Sequence, residues 1–114
     1  MSDRMRRVNE AVRQVLSEAL LELKDPRIGF VTVTGVETSS DLRHARVYVS
    51  VLGSAKKQAK TLEGLEAAHG LLQSQIGREL RMKRTPQLTF EYDRTVEEGV
   101  RMSKLIDDLA PADE

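Results

Sequence analysis

Apolar residues recur along this chain with two different periods, and each change of period marks an element boundary. From Met5 to Leu23 the period is helical. Val8, Val12, Val15, Ala19 and Leu23 make one stripe, while Arg6, Glu10, Arg13 and Ser17 fall on the other side. Lys24-Asp25-Pro26 ends this helix, because proline lacks the amide hydrogen and disfavours helix at the residue before it. Ile28 to Glu37 is rich in β-branched residues (Ile28, Val31, Thr32, Val33, Thr34 and Val36) and predicts a strand with a bulge at Gly35. Thr38-Ser39-Ser40-Asp41 predicts a turn. Leu42 to Leu52 then alternates, with Ala45, Val47, Val49 and Val51 on the core face and Arg46, Tyr48 and Ser50 near solvent. Two strands joined by a short polar turn are expected to pair as an antiparallel hairpin.

Gly53-Ser54 breaks the second strand, and Leu62, Leu65 and Ala68 return to helical spacing. Ala68-His69-Gly70 interrupts that stretch. A glycine inside a helix costs roughly 1 kcal/mol relative to alanine, so it marks a kink or a close approach. Two short helices are expected to meet at Gly70, with Gly64 read as a packing glycine. The second helix is predicted to run to about Lys83, with Leu72, Ile76 and Leu80 inward and Arg78, Arg81 and Arg84 on the opposite side. Thr85-Pro86 stops it, and Leu88, Phe90 and Tyr92 alternate as a third strand. Thr95-Val96-Glu97-Glu98 fits a capping box, and Met102, Leu105, Ile106 and Leu109 predict a short final helix. The expected order is α-β-β-α-α-β, a two-layer α+β domain whose helices cover one face of a three-stranded sheet. Residues 1–93 form that domain, and residues 94–114 a C-terminal helix with a short acidic tail.

Charge changes the picture more than composition does. The 114 residues include 18 Lys and Arg and 18 Asp and Glu, a formal net charge of zero. Residues 1–84 hold fifteen of these cations against ten acids, whereas residues 85–114 hold three against eight. A basic body with an acidic tail suits a polyanion-binding surface, although surfaces of mixed charge also differ from half to half by chance. Cysteine is absent, which excludes disulfides and thiolate metal sites. No apolar run is long enough to span a bilayer, and the polar N-terminus lacks a signal peptide's apolar core, so a cytoplasmic protein with no membrane partner is expected.

Several segments taken together resemble one family. These are Asp25-Pro26-Arg27-Ile28-Gly29, Val33-Thr34-Gly35-Val36-Glu37, Asp41-Leu42 followed by Ala45-Arg46-Val47-Tyr48-Val49, Pro86-Gln87-Leu88-Thr89-Phe90 with Tyr92-Asp93, and Gly99-Val100-Arg101-Met102. In order and spacing they are similar to the bacterial ribosome-binding factor A family, and the element order is that of a type II KH domain. KH domains clamp a nucleic-acid backbone with a Gly-x-x-Gly loop, which this chain lacks. The resemblance implies instead an Ala-x-Gly kink, matched by Ala68, His69 and Gly70. It further implies a non-catalytic assembly factor that binds the free small (30S) subunit or its precursor through 16S rRNA and assists late 16S rRNA processing. It also implies a link to cold adaptation, monomeric action without a cofactor, and release by an initiation factor or a GTPase.

The candidate RNA-binding residues are Ala68, His69 and Gly70, the cations Arg78, Arg81, Lys83 and Arg84, and, from the first helix, Arg4, Arg6 and Arg7. Arginine suits phosphate because its planar fork donates two hydrogen bonds at once. A run of cations on a helix is, taken alone, more often a solvated face. Arg13, Lys56, Lys57 and Lys60 are weaker candidates. Arg46 and Tyr48 read as an edge-strand surface pair more readily than as a stacking platform. Catalysis has no comparable signature: His44 and His69 have no third ligand at metal spacing, and no nucleophile motif or phosphate-cradling loop is present. Two other readings of the residues stay open: a general KH-like module for single-stranded RNA, and a protein–protein interaction domain using the apolar final stripe.

Overall fold

A computed structural model describes residues 3–94 of the chain. Helix α1 (Asp3–Glu22) precedes an antiparallel hairpin of β1 (Val31–Thr38) and β2 (His44–Val51). Helices α2 (Ala55–Ala67) and α3 (His69–Leu80) cross over to β3 (Gln87–Tyr92). The sheet order is β1-β2-β3, with β3 parallel to β2. This is the predicted α-β-β-α-α-β order. The predicted final helix and its capping box lie outside the described residues.

The core is the apolar side of the sheet packed against the helices. Ala45, Val47, Val49 and Val51 are buried as their alternation predicts, together with Val33, Val36, Leu88 and Phe90. The opposite side of the sheet carries exposed Thr32, Glu37, Arg46, Thr89 and Glu91. In α1 the buried positions are Asn9, Val12, Leu16, Ala19 and Leu20, while Val8, Val15 and Leu23 are only half-buried against the core. The buried stripe is therefore centred nearer Leu16 than the predicted stripe. A helix of 3.6 residues per turn presents Val12, Leu16, Ala19 and Leu20 together.

The strand boundaries moved inward where hydrogen bonding, not side-chain type, decided them. The β1 ladder slips between Val33 and Gly35, which places the bulge beside the predicted glycine. Ile28 and Leu42 are outside the strands. Ile28 belongs to a loop that is bound to α2 by side-chain contacts. Fully buried Thr61 accepts the Gly29 amide at 3.1 Å and donates to the Lys57 carbonyl at 2.8 Å. A Cβ added at Gly64 would come within 2.6 Å of Ile28 Cγ1, so Gly64 is the packing glycine expected. Asn9 makes a comparable tie between layers, accepting the Thr38 amide at 2.9 Å.

Candidate nucleic-acid interface

The interruption between α2 and α3 falls at Ala68 rather than at Gly70. Ala68 has φ −92° and ψ 2°, a bridging conformation open to any residue with a Cβ, so no glycine is needed there. Its amide returns to the Gly64 and Leu65 carbonyls at 3.1 Å, and its own carbonyl accepts the Leu72 amide at 3.0 Å. Gly70 lies one residue inside α3, where an added Cβ would meet nothing within 4 Å. His69 is half-buried, with Nδ1 2.7 Å from the Glu66 carbonyl. A carbonyl only accepts, so in this contact Nδ1 donates and the ring caps the end of α2.

Helix α3 stops at Leu80, three residues short of the predicted end. Arg81 takes the left-handed conformation with φ 53°, and the Arg81 and Met82 amides both return to the Gly77 carbonyl. This closure satisfies a terminal carbonyl and turns half-buried Met82 back onto the core. The loop then folds against α3, close enough that a Cβ at Gly77 would sit 2.6 Å from Thr85 Cγ2. Arg78, Arg81 and Arg84 therefore do not line one helical face as expected. Arg78 is on the last turn, Arg81 caps it, and Lys83 and Arg84 stand in the loop beyond, all four exposed.

That loop meets the β1–β2 turn, and the same turn meets the start of α1. Leu42 also has positive φ, 61°, and turns the chain into β2. It is shared by two shallow depressions. One, of about 260 Å³, is lined by Arg4, Met5, Ser40 and Leu42. The other, of about 370 Å³, is lined by Asp41, Leu42, Met82, Lys83 and Arg84. The fold thus brings Arg4 together with Lys83 and Arg84 around one turn. It does not bring Ala68–Gly70 to them. Those residues lie at the far end of α3, about 17 Å away at 1.5 Å rise per residue. Arg6 faces elsewhere, toward Asn9, Arg13 and the bulge of β1.

Ion pairing separates the arginines further. Arg6 pairs with Asp3 at 3.5 Å, Arg13 with Glu10, Arg27 with Asp25 at 2.7 Å, Arg43 with Asp41 at 3.9 Å and Arg46 with Glu91 at 2.8 Å. Arg4, Arg7, Arg78, Arg81 and Arg84 have no ion pair among the described residues. Arg27 donates from both side chain and backbone to Asp25, and this holds the Asp25 carboxyl down at about 2, from an ordinary 3.8. The Tyr48 hydroxyl and then Glu91 raise the pKa of Arg46, so that guanidinium is already engaged in a surface pair, but β2 is the central strand of the sheet and not the edge strand expected. The Lys57 stem lies against Gly29 and Gly53. Among the described residues no cluster of His, Asp and Glu is built to hold a metal ion. No described helix is long and apolar enough to cross a membrane.

Sequence reasoning missed the β1–β2 turn as part of this surface. The Thr-Ser-Ser-Asp cluster signals a turn, but nothing local signals that Leu42 has positive φ or that Lys83 and Arg84 lie beside it. It also missed Thr61, whose hydroxyl is invisible to an apolar periodicity.

The family model described as ribosome-binding factor A matches residues 4–106. The chain is similar to ribosome-binding factor A of Thioalkalivibrio sulfidiphilus, 47% identical over 111 residues, covering 96% of this chain and 86% of the relative. It is also similar to ribosome-binding factor A of an Azoarcus species, 46% identical, covering 97% and 89%. The crystal structure of ribosome-binding factor A from Thermus thermophilus superposes with a TM-score of 0.73 at 28% identity, over 80% of this chain and 97% of that one. A Thermus thermophilus homology model fitted into a cryo-EM map of a 30S–RbfA complex superposes with a TM-score of 0.64 at 30% identity, over 75% and 90%.

Proposed function

The chain belongs to the ribosome-binding factor A family, and from that premise we propose that it docks, without catalysis, on the small ribosomal subunit or its precursor and assists late 16S rRNA maturation. The fitted Thermus complex supports the docking half of this reading, since it concerns a relative bound to a 30S particle. The observation that carries the reading to particular residues is the gathering of Arg4, Lys83 and Arg84, which have no ion pair among the described residues, around the Leu42 turn, with Arg81 and Arg78 extending it. Residues 1–93 are the RNA-binding unit on this reading. Arg7 adds to the α1 end, while Arg6 contributes less because Asp3 holds it. Ala68, His69 and Gly70 form a second contact at the other end of α3.

An interface of this kind works by neutralising phosphates and releasing their counterions, and it follows the shape of folded RNA more than base sequence. The protein holds maturing rRNA and then leaves. A cytoplasmic monomer acting in the cold, without cofactor, and displaced by an initiation factor or GTPase completes the reading. The test is binding of the purified protein to small subunits across a salt series. Each phosphate contact adds roughly 0.7–0.9 to the log–log slope, so replacing Arg78, Arg81, Lys83 and Arg84 together flattens it by about three. An unchanged slope places the contacts elsewhere. Equal affinity for unstructured RNA and for small subunits overturns the ribosomal reading in favour of a general RNA-binding module.

A further inference from the structure

Phe30 and Leu52 are 79% and 77% exposed, unusual for residues of their size. They form one patch. The Leu52 amide donates to the Phe30 carbonyl at 3.0 Å, which carries the β1–β2 register one pair beyond Val31 and Val51. Val51 points into the core, and side chains alternate along a strand. Phe30 and Leu52 therefore stand side by side on the face of the sheet away from the described helices, with Cβ atoms about 5 Å apart. The Leu42 turn and its cations lie at the other end of these strands, about 25 Å away.

Charge and shape at this end of the sheet select the occupant. Half-buried Lys57 lays its stem across Gly29 and Gly53, the chain neighbours of Phe30 and Leu52. A Cβ at Gly29 would come within 2.5 Å of Lys57 Cε, and one at Gly53 within 3.2 Å of Lys57 Cβ and Cγ. The two glycines thus leave a slot that a side chain at either position would crowd, and it keeps the Lys57 ammonium at the rim of the sheet beside Phe30. The slot is itself braced. The Ser54 hydroxyl accepts the Lys57 amide at 3.3 Å, and Gln58 Nε2 donates to the Gly53 carbonyl at 3.4 Å and to the Tyr92 hydroxyl at 3.2 Å. Residues 52–62 carry Lys56, Lys57 and Lys60 and no acid, and none of these lysines has an ion pair among the described residues. Asp25, the acid nearest Phe30 in sequence, is taken by Arg27. An exposed aromatic ring flanked by lysines with no carboxylate to meet them suits an anion that carries a flat apolar group.

We propose that Phe30, Leu52, Lys56 and Lys57 form a further RNA contact, which takes an unpaired nucleotide of single-stranded RNA. The base stacks on the Phe30 ring against Leu52, and the adjoining phosphates meet Lys57 and Lys56. Every base has a π face, so such a site reads the absence of pairing more than sequence. The site goes beyond the docking proposed above. It uses none of the cations named there and its test needs no ribosomal particle, so either reading can fail alone.

The experiment is binding of hexa-adenylate RNA to the full-length protein at low salt, set against the same backbone carrying abasic residues. Hexa-adenylate binds about fivefold or more tighter than the abasic strand, and Phe30→Ala removes that difference. Lys57→Met keeps an apolar stem in the slot, lowers the salt slope for hexa-adenylate by about 0.7 and preserves the base-dependent ratio. Phe30→Ala acts in the same way when Arg78, Arg81, Lys83 and Arg84 are also replaced, and urea midpoints establish that each variant is folded. Equal binding of the two strands by the parent, or binding of neither, overturns the proposal, as does a ratio that survives Phe30→Ala. A ratio lost only on replacing the four cations overturns it by assigning the stacking to the other end of the molecule. A dimer in sedimentation velocity that Phe30→Ala dissolves overturns it in favour of a second copy on the patch.

Discussion

Gly64 and Gly70 lie six residues apart on the α2–α3 pair, yet their surroundings are opposite. A Cβ at Gly64 would meet Ile28 at 2.6 Å, and one at Gly70 would meet nothing within 4 Å. The Asp25–Gly29 segment and the far end of α3 differ in the same way. Near Gly64, the Asp25–Gly29 segment is consumed by internal contacts: Arg27 on Asp25, Gly29 on Thr61, Ile28 on Gly64. Beyond the other end of α3, Arg81, Lys83 and Arg84 are exposed and have no ion pair among the described residues. Both regions contain arginine and glycine in motifs that a sequence reader would mark. Only the second has cations with hydrogen-bonding capacity left over for a partner. A motif in this fold is as informative as the contacts its residues have not already made.

The strongest way to break the comparison is at the two glycines. Gly64→Ala forces Ile28 aside and lowers stability by about 1–3 kcal/mol. Gly70→Ala raises it by about 0.5 kcal/mol through helix propensity. Urea midpoints measure both, and equal effects would erase the distinction between the two glycines. Next comes Thr61→Val, which keeps the shape but leaves the Gly29 amide unpaired, costing about 1–3 kcal/mol. Small-subunit affinity at fixed salt should not change in this variant while it remains folded. Arg81→Gly sharpens the contrast from the other side. It relieves a left-handed residue and gains up to about 1 kcal/mol of stability, while the salt slope of RNA binding falls by about one.

The smallest effect concerns Asp25. Its folded pKa of about 2 lies below the ordinary 3.8 because Arg27 stabilises the carboxylate. A group with a depressed folded pKa contributes stability above its unfolded value and loses it as pH falls through the folded one. Asp25→Asn is therefore less stable than the parent at neutral pH. The difference shrinks between about pH 4 and pH 2, which parallel thermal melts across that range would follow.

Much of the fold was legible because its causes are local. The alternation of Ala45, Val47, Val49 and Val51 requires a strand with one buried face, and it was found with that face inward. Leu72 and Ile76 gave the inward side of α3 in the same way. The packing role of Gly64 was also legible, since a helical glycine between apolar positions usually admits a neighbour. The bulge needed only Gly35 to be anticipated to within a residue. The end of α3 was not legible. Lys and Arg continue a helix well, and only the return of two amides to Gly77, with Met82 drawn onto the core, stops it at Leu80.

The candidate interface was half legible for a related reason. Sequence alone determined which residues could serve, because charge and helical spacing are properties of neighbours along the chain. Tertiary structure decided which of them stand together and which have no ion pair among the described residues. Arg4 and Leu42 are 38 residues apart and Leu42 and Lys83 are 41 apart, and their meeting depends on α1 packing beside α3 and on a turn with positive φ at Leu42. No local pattern encodes that proximity. A period reports which face of an element is buried, whereas the relative placement of three element ends is set by the packing of the whole core.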